Sequence, residues 1–505
     1  MPSYEERVER FEKRARAVAS HLRDASKVLV VGHIDADGIS ATAIARTALE
    51  REGIEVMTRS VKKVDEAEVS RIENEDYDTV LLVDLGSGMG TRFKDASVCI
   101  ADHHAPDVHG GRTSDVGHDV RGKRRKKSAN ILKGQRQIDQ PHLILNPMDF
   151  GIDGSREISG SGVTYWITKC LDPANKDLAA LAVVGAVGDF QDSDEGRLTG
   201  LNARIVDDGV AAGVLRVEED IRLFGRVSRP LTKFIQYSDL PLPWTSDWAR
   251  CREFFKELEI PLGRKEKLRT WSDLTAEERE RAINALEFEL AKLGRGDCRL
   301  KGEIYILTKE AQGTELCDAK EYATLLNSCG RHGQADLGVE LCTVSRNGEA
   351  FSEILNKVRG QIKTHRENLR GGIDAFDGAL LVQMTALQYF RTEEEFGLPS
   401  SLETTLGTVL GMVLSSGKVP SDRPLFAFAK TEDGKLKVSA RATKELVAKG
   451  LDLSSAIKLS AEKVGGVGGG HNIAAGATIE KGKEVEFLDR ADMIIREQFE
   501  RSGLK

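Results

Sequence analysis

The chain has 505 residues, of which 30% are charged and only 6% are aromatic, and its formal net charge is -7. This length predicts two or three domains with substantial cores. The negative charge excludes a generally basic surface for nucleic acid, so such binding requires a local groove or metal ions. No apolar run approaches the roughly 18 residues of a membrane span, and the seven cysteines include no Cys-x-x-Cys pair. We therefore expect a cytoplasmic protein with reduced thiols and no membrane partner.

The most informative stretch, residues 28–38, is an apolar run that ends in Gly-His-Ile-Asp-Ala-Asp-Gly. It predicts a buried strand that presents His33, Asp35 and Asp37 at the edge where open α/β sheets hold their sites. Alternation along an extended chain would point these three side chains to one side, with a helix beginning near Ser40. Neighbouring carboxylates repel each other unless a cation neutralises them, so this stretch predicts a metal site.

Three further apolar runs are each followed by a polar turn, which together with the first strand predicts an N-terminal parallel doubly wound sheet. An amphipathic helix over 4–24 is expected to cover the sheet. A buried helix over 178–187 ends beside Asp189, a further candidate ligand. The runs and the residues that follow them are 80–83 with Asp84, 98–101 with Asp102, His103 and His104, and 143–145 with Asn146.

The acids and histidines at these strand ends suffice for two divalent cations, with Asp84 as the natural bridging carboxylate. Two cations about 4 Å apart lower the pKa of a shared water and hold the attacking and leaving oxygens of a phosphoryl group. Mixed imidazole and carboxylate ligands fit Mn²⁺ better than Mg²⁺. His104 stays free to contact phosphate or act as a general acid, and Asp102 is expected to fix the loop. The predicted ligands are His33, Asp35, Asp37, Asp84, His103 and Asp189.

Three other segments complete the first 300 residues. Residues 110–128 are basic and without periodicity, and predict either a solvated loop or a phosphate-contacting flap. The Gly/Ser run at 158–162 opens a helix whose free backbone N–H groups suit an anion. The segment that follows the first domain is mainly helical and carries no chemistry, so we interpret it as a connecting or partner-binding insert. The predicted domains are 1–200, 201–302 and 303–505.

The C-terminal part returns to an α/β pattern. Apolar strands at 426–428 and 436–439 flank Glu-Asp-Gly, a strong hairpin signal. Five glycines between residues 465 and 470 precede His471, and such a run is costly in chain entropy. The run predicts either a structural turn or a loop whose backbone amides approach a phosphate. In the second case Arg441 and His471 complete the phosphate contacts.

These motifs resemble those of the DHH phosphoesterases. The four motifs of that family resemble His-Ile-Asp-Ala-Asp-Gly at 33–38, Val-Asp-Leu-Gly at 83–86, Asp-His-His at 102–104 and Val-Gly-Asp-Phe at 187–190. Gly-Gly-Gly-His at 468–471 is similar to the hallmark of the DHH-associated domain. The resemblance implies a DHH catalytic domain and a smaller C-terminal α/β DHH-associated domain, with the helical insert between them.

Within the family, Ser-Ala-Arg at 439–441 and the segment 318–327 most resemble the archaeal RecJ-like proteins. That resemblance implies a Mn²⁺-dependent exonuclease on single-stranded DNA or RNA in replication or repair, with a link to the GINS complex of the replisome. Two alternatives stay open: hydrolysis of short oligonucleotides or cyclic dinucleotides, and a replisome scaffold whose nuclease activity is secondary. The residues implied to bind the strand, beside the catalytic Asp84 and His104, are Ser439, Arg441, Gly468, Gly469, Gly470 and His471.

Overall fold

The chain forms two compact units, Met1–Arg359 and Gly360–Lys505. The predicted division into 1–200, 201–302 and 303–505 places its boundaries elsewhere than this two-unit division, and it stays a prediction. The basic segment 110–128 lies outside the described residues. The computed structural model describes residues 2–87, 92–93, 97–104, 142–264, 267–296, 298–377, 379–392, 396–403, 405–415, 419–431 and 433–502.

The first unit is built on a five-stranded parallel sheet, which confirms the predicted fold class. Its strands are β1 (Lys27–His33), β2 (Glu55–Val61), β3 (Thr79–Val83), β4 (Val98–Ala101) and β5 (His142–Leu145). The spatial order is β2-β1-β3-β4-β5. The sequence had indicated four of these strands. The edge strand β2 was missed because none of its residues is fully buried, so it lacks the continuous apolar run of its neighbours.

Helices cover the sheet and complete its core. They are α1 (Tyr4–Arg23), α2 (Ala36–Arg51), α3 (Glu66–Glu73), α4 (Gly160–Leu171), α5 (Ala179–Gly188) and α6 (Gly200–Ala211). α1 begins with a capping box at Ser3 and buries an apolar stripe against α4 and β5, as its periodicity predicted. α2 packs against α4 and α5. On the α3 side, Leu29, Val31 and Leu82 pack with Ile72 of α3.

A middle region, residues 215–307, has a hydrophobic core of its own around the buried Trp271. Its elements are β6 (Leu215–Ile221), α7 (Leu231–Gln236), α8 (Trp248–Glu257), β7 (Gly263–Arg264), β8 (Lys267–Leu268), α9 (Ala276–Lys292) and β9 (Lys301–Leu307). β6 pairs with β9 in antiparallel fashion and closes the region at its two ends. α9 begins with a capping box at Thr275.

Three helices follow the middle region: α10 (Ala319–Arg331), α11 (Ala335–Thr343) and α12 (Glu349–Asp377). α10 and α11 pack back onto the N-terminal layer, with α10 against α5 and α11 against α2. α10 is therefore part of the first unit, and its apolar side is buried against the helices that line the sheet.

The second unit contains a mainly antiparallel sheet with helices on both faces. Its elements are β10 (Leu380–Gln383), β11 (Gln388–Arg391), β12 (Gly397–Leu398), α13 (Leu406–Ser415), β13 (Leu425–Lys430), β14 (Leu436–Arg441), α14 (Lys444–Ala448), α15 (Leu453–Lys463), β15 (Val467–Gly470), β16 (Ala474–Ile479) and α16 (Glu484–Arg501). β13 and β14 form the predicted hairpin. Phe426 and Phe428 belong to the core on the α16 side, whereas Leu425 and Ala427 belong to the core with α13. Among the described residues, no helix combines the length and apolarity that a membrane span requires.

A buried ion network joins the middle region to α10. Arg226 is almost fully buried; its Nη2 lies 2.7 Å from Asp220 Oδ2 and its Nη1 lies 2.9 Å from Asp318 Oδ2. Asp318 is the N-cap of α10, and Asp220 Oδ1 also accepts a hydrogen bond from the Trp271 indole at 3.0 Å. The guanidinium therefore neutralises two buried carboxylates from different parts of the chain.

We expect Arg226→Ala to lower the free energy of unfolding by about 3–5 kcal/mol, because it removes the counter-charge of the buried Asp318 and leaves Asp220 with Arg279, 3.1 Å away. The measurement is chemical denaturation followed by circular dichroism. The matched control is Arg216→Ala, which removes an exposed pair with Glu218 at 2.8 Å and should cost about 0–1 kcal/mol. Equal effects of the two substitutions would contradict this role of Arg226.

Candidate metal centre

The acids and histidines at the carboxyl edge of the parallel sheet converge on one site. β1 ends at His33, and α2 begins three residues later rather than near Ser40. Asp35 is the N-cap of α2 and accepts a hydrogen bond from Gly38 N at 3.0 Å, while Asp37 lies in the first helical turn. The three side chains therefore reach the site from a strand end, a cap and a helical turn. Our expectation of an extended, alternating segment was wrong.

The turn between β1 and α2 is held by α10. Ala36 N donates a hydrogen bond to Asn327 Oδ1 at 2.9 Å. Three residues further along α10, a Cβ on Gly330 would lie 1.8 Å from the carbonyl oxygen of Ile34, so only glycine permits this approach. α10 therefore fixes the backbone that carries the first three candidate ligands.

Asp84, directly after β3, has a left-handed backbone conformation with φ 58°. This region is uncommon for residues other than glycine, and such strain concentrates at functional sites. The side chain is buried, and neither carboxylate oxygen has a hydrogen-bond partner among the described residues. Oδ1 lies 3.2 Å from His103 Nε2, and Oδ2 lies 3.6 Å from His33 Nδ1. The two oxygens thus face different imidazoles.

His103 lies at the centre of the acids. Its Nδ1 is 2.6 Å from the carbonyl oxygen of Gly154, which assigns the proton to Nδ1 and directs Nε2 toward the site. Nε2 lies 3.7 Å from Asp37 Oδ2 and 3.4 Å from Asp189 Oδ2. A neutral imidazole oriented in this way is prepared to bind a metal through Nε2.

The backbone N–H groups of the Gly/Ser run at 158–162 contact a carboxylate of the same chain, that of Asp37. α4 begins at Gly160, and the backbone N–H groups of Gly160 and Ser161 donate to the two oxygens of Asp37 at 2.6 and 3.0 Å. The Ser161 hydroxyl donates to the same carboxylate. The start of a helix stabilises negative charge, so α4 orients a candidate ligand.

Asp102 holds the loop that follows β4. Its Oδ1 accepts hydrogen bonds from the backbone of His103 at 2.8 Å and of His104 at 3.2 Å, and its Oδ2 accepts one from Ser87 N at 2.8 Å. His104 Nδ1 also lies 2.8 Å from Asp102 Oδ1. The His104 side chain is 55% exposed, which makes it an accessible group at this edge of the sheet.

Burial and mutual repulsion shift the pKa values of the cluster. Burial and the charge of Asp84 raise the pKa of Asp37 to about 7, and burial with the charges of Asp37 and Asp84 raises the pKa of Asp189. Burial alone would lower the pKa of the imidazoles, but the surrounding carboxylates raise that of His33 to about 10 and also raise that of His103. The cluster thus relieves its negative charge by holding protons, which a divalent cation would displace.

Donor atoms from these residues form overlapping groups, each with its atoms within 4.8 Å of one another, that could hold a metal ion. Both oxygens of Asp84 and Nε2 of His103 are buried and have no hydrogen-bond partner in the described part of the chain, which is costly unless a cation compensates. Carboxylate and imidazole donors suit Mn²⁺ and, less well, Mg²⁺. All six predicted ligands are included, and His104 joins one group. The groups are His33, Asp35 and Asp84; Asp84, His103 and His104; and Asp37, His103 and Asp189.

Comparison with known proteins identifies two domains of the chain and several proteins that resemble it. The DHH-CID domain model matches residues 223–300, and the DHHA1 domain model matches residues 403–497. Uncharacterized protein MJ0831 of Methanocaldococcus jannaschii is 26% identical over 503 residues, covering 98% of this chain and 100% of its relative. CDC45 from Entamoeba histolytica has a TM-score of 0.61 at 13% identity, covering 98% of this chain and 99% of that one. An exonuclease RecJ bound to manganese has a TM-score of 0.53 at 17% identity, covering 97% and 96%.

The chain therefore carries a DHH-CID domain and a DHHA1 domain. Its fold is similar to those of RecJ and CDC45, and the donor cluster at the end of its parallel sheet could hold metal ions. The DHH-CID match lies inside the middle region, and the DHHA1 match lies inside the second unit.

In the DHHA1 part, the glycines expected to form a loop form a strand instead. Residues 468–470 lie in β15, which pairs with β16, and Gly469 is opposite Gly476. The pairing satisfies backbone groups that a free glycine loop would leave to solvent, so the predicted loop over these residues is corrected to an edge strand of the sheet.

The other predicted substrate-binding residues of the DHHA1 part lie on the neighbouring strands. Ser439 of β14 is opposite Gly476, and Arg441 is opposite Ala474. His471 directly follows β15, and its backbone N donates to the Ala474 carbonyl oxygen at 2.8 Å. Arg441 and His471 are therefore found at the same end of the sheet.

Sequence reasoning missed the buried amides behind the metal ligands. Gln191 Nε2 donates a hydrogen bond at 2.9 Å to the Gly154 carbonyl, which also accepts from His103. Asn202 Nδ2 donates in turn to Gln191 Oε1 at 2.6 Å. The only sequence signal for Gln191 is its place two residues after Asp189, since an amide that orients a carbonyl has no motif of its own.

We expect Gln191→Ala to weaken Mn²⁺ binding about tenfold, because hydrogen bonds behind a metal-binding histidine typically contribute 10- to 100-fold in affinity. Isothermal titration of the metal into the protein without substrate measures this. Gln236→Ala is the matched control, since its amide also donates to a backbone carbonyl, of Ser246 at 3.4 Å in the middle region. An unchanged affinity in Gln191→Ala would show that Gln191 does not support His103.

Proposed function

We propose that this DHH protein is a two-metal phosphodiesterase that removes nucleotides from one end of single-stranded DNA or RNA. The observation that carries the proposal is the sharing of Asp84 and His103 between donor groups, which gives adjacent positions for two divalent cations. Mn²⁺ is favoured because the donor groups mix imidazole with carboxylate. The RecJ structures of similar fold include forms with manganese and with magnesium.

The roles of the ligands follow from the donor groups. When bound, the two cations supply an activated water and neutralise the charge of a phosphodiester under attack. The protein's part is to hold the donors in place through α4, α10 and the Gly154 carbonyl. One cation is assigned to His33, Asp35 and Asp84, and the other to Asp37, Asp84, His103 and Asp189.

His104 is the residue we assign to the substrate. Its Nδ1 is oriented by Asp102, so its Nε2 can contact a phosphate oxygen or donate a proton to the leaving oxygen. Hydrogen bonding to Asp102 raises the pKa of His104, which favours the protonated ring that such a donation requires. This leaves His104 outside the metal ligands in the proposal, although it lies near enough to Asp84 to join a donor group.

Features of the second unit support a nucleic acid strand as the substrate. Arg441 is partly buried, burial lowers the pKa of its guanidinium, and no described carboxylate contributes to that shift. The guanidinium lies so close to Gly407 that a Cβ there would be 2.2 Å from Nη2. Beside Ser439, Gly476 and Gly469 leave the backbone of the sheet bare. A guanidinium that no described carboxylate affects, beside exposed backbone, suits a phosphate.

A replisome scaffold that binds GINS, with secondary nuclease activity, is the second candidate. The middle region supports it, because that region has its own core and matches the DHH-CID domain, and because the fold is similar to CDC45 over 98% of this chain. Binding of purified GINS to the full chain, without turnover of any strand, would favour this candidate over the nuclease.

The nuclease is tested by digestion of end-labelled single-stranded DNA and RNA with Mn²⁺. We expect stepwise loss from one end, and a fall of about a thousandfold or more in Asp84→Asn, because the shared ligand is lost. Asparagine tolerates the left-handed backbone at this position. The matched control is Asp78→Asn, at the other end of β3, whose carboxylate accepts hydrogen bonds from Ser26 N and Lys27 N and which should retain activity.

Substantial turnover in Asp84→Asn would contradict the assignment of the site. Turnover of dinucleotides or cyclic dinucleotides without turnover of long strands would replace the proposed substrate by the shorter one. The identity of the label lost first reports the polarity of digestion in the same experiment.

We expect Arg441→Ala to raise KM for a long single strand by about tenfold to a hundredfold with little change in kcat, because a charge-assisted hydrogen bond to phosphate is lost. Steady-state kinetics measure the two parameters. Lys435→Ala is the control, since Lys435 directly precedes β14 at the end of the strand opposite to Arg441. A loss confined to kcat would contradict a binding role for Arg441.

A further inference from the structure

Phe190 is a large apolar residue left exposed beside the metal centre. Its side chain is 68% exposed, and it directly follows the candidate ligand Asp189. Its backbone is left-handed, with φ 58°, a conformation that glycine or asparagine adopts at lower cost. Neither burial nor backbone preference therefore explains a phenylalanine at this position.

The backbone around Phe190 is held on both sides. Phe190 N donates to the Val187 carbonyl at 3.1 Å, and the Phe190 carbonyl accepts from Ser193 N at 3.0 Å. The next residue, Gln191, is buried, and its backbone N donates to the Ala186 carbonyl at 3.1 Å. The exposed ring thus projects from an ordered turn and is prepared to meet a partner at little cost in chain entropy.

The turn follows a candidate ligand that solvent reaches. Asp37 and His103 are buried, whereas Asp189 keeps a quarter of its side chain exposed, His33 28%, Asp35 36% and His104 about half. A substrate phosphate must reach the cluster through these accessible groups, so a residue next to Asp189 can meet a neighbouring part of the substrate.

We propose that Phe190 is a stacking platform for a nucleobase next to the phosphodiester that is cleaved. This inference rests on the proposed function and names a part of its substrate subsite. Aromatic side chains bind single strands by stacking on bases, and this contact tolerates any base sequence. The ring would orient the end of the strand over the metal centre without selecting a sequence.

A second exposed phenylalanine in the same unit provides a matched control. Phe288, on α9 of the middle region, is 62% exposed and lies beside Lys292, whose Nζ is 4.3 Å from the ring centroid. Its exposure is comparable to that of Phe190, but its backbone is helical and its neighbours are not candidate ligands. The two rings are therefore similar in exposure and differ in whether they lie next to a candidate metal ligand.

The test compares full-length wild type, Phe190→Ala, Phe190→Trp and Phe288→Ala on two substrates, each digested in the presence of Mn²⁺. One is an end-labelled single strand, and the other is the same strand with abasic residues at its terminal positions. We expect Phe190→Ala to lower kcat/KM about tenfold on the normal strand, chiefly through KM, as loss of one stacking contact predicts. It should change little on the abasic strand. Phe190→Trp should restore activity, and Phe288→Ala should match wild type.

Binding gives a readout that does not depend on turnover. Oligothymidylate should quench the tryptophan that Phe190→Trp adds, relative to wild type, and an abasic oligomer of equal length should not. Equal losses for Phe190→Ala on both substrates, or equal quenching by both oligomers, would overturn the stacking role. If wild type cleaves no strand but base-dependent quenching persists, the proposed nuclease fails while the stacking site stands. If quenching is also absent, both fail.

Discussion

The structure depends on a concentration of negative charge that the protein alone does not neutralise. The carboxylates of Asp37, Asp84 and Asp189 all lie within 3.7 Å of a single imidazole nitrogen of His103. Two of these acids are fully buried, and like charges at such distances cannot all ionise without a cation. The raised pKa of Asp37 and of Asp189 is the direct consequence. A divalent metal is the natural solution, because it replaces the bound protons and satisfies the unpartnered oxygens of Asp84 at once.

Holding such a cluster requires support from segments that are distant in sequence. α4 donates backbone N–H groups to Asp37, and Gly185 of α5 leaves room for the same carboxylate, since a Cβ there would lie 2.3 Å from Oδ1. α10, more than 280 residues after β1, binds the first amide of α2 through Asn327. Asp318, the cap of α10, is in turn fixed by the buried Arg226 of the middle region. The middle region is therefore connected, through α10 and a series of polar contacts, to the turn between β1 and α2 that carries the first three candidate ligands.

The sequence predicted the parallel sheet, and it singled out the acids and histidines that the fold gathers into donor groups, because both have local signals. A short apolar run followed by an acid or histidine marks a buried strand and its end, and all six predicted ligands fall in the donor groups. The edge strand β2 has no such run. The start of α2 was misplaced because Asp35 serves as both ligand candidate and cap. The supports of the site were not predictable: that Gln191, Asn327 and the Gly154 carbonyl act on the ligands depends on contacts across the fold, which leave no periodicity in the sequence.

The division between buried and exposed parts of the site separates two tasks. Asp37, Asp84 and His103 are buried and fixed by backbone or strain, so they are suited to define the positions of the cations. Asp35 keeps 36% of its side chain exposed and His104 55%, and the exposed Phe190 directly follows Asp189. Rigid, buried donors together with accessible, adaptable groups allow the same metal arrangement to act on substrates of different length. Selection between a long strand and a short nucleotide must then come from groups outside the cluster. In this chain the candidates are the ring of Phe190 in the first unit and the guanidinium of Arg441 in the second, one suited to a base and the other to a phosphate.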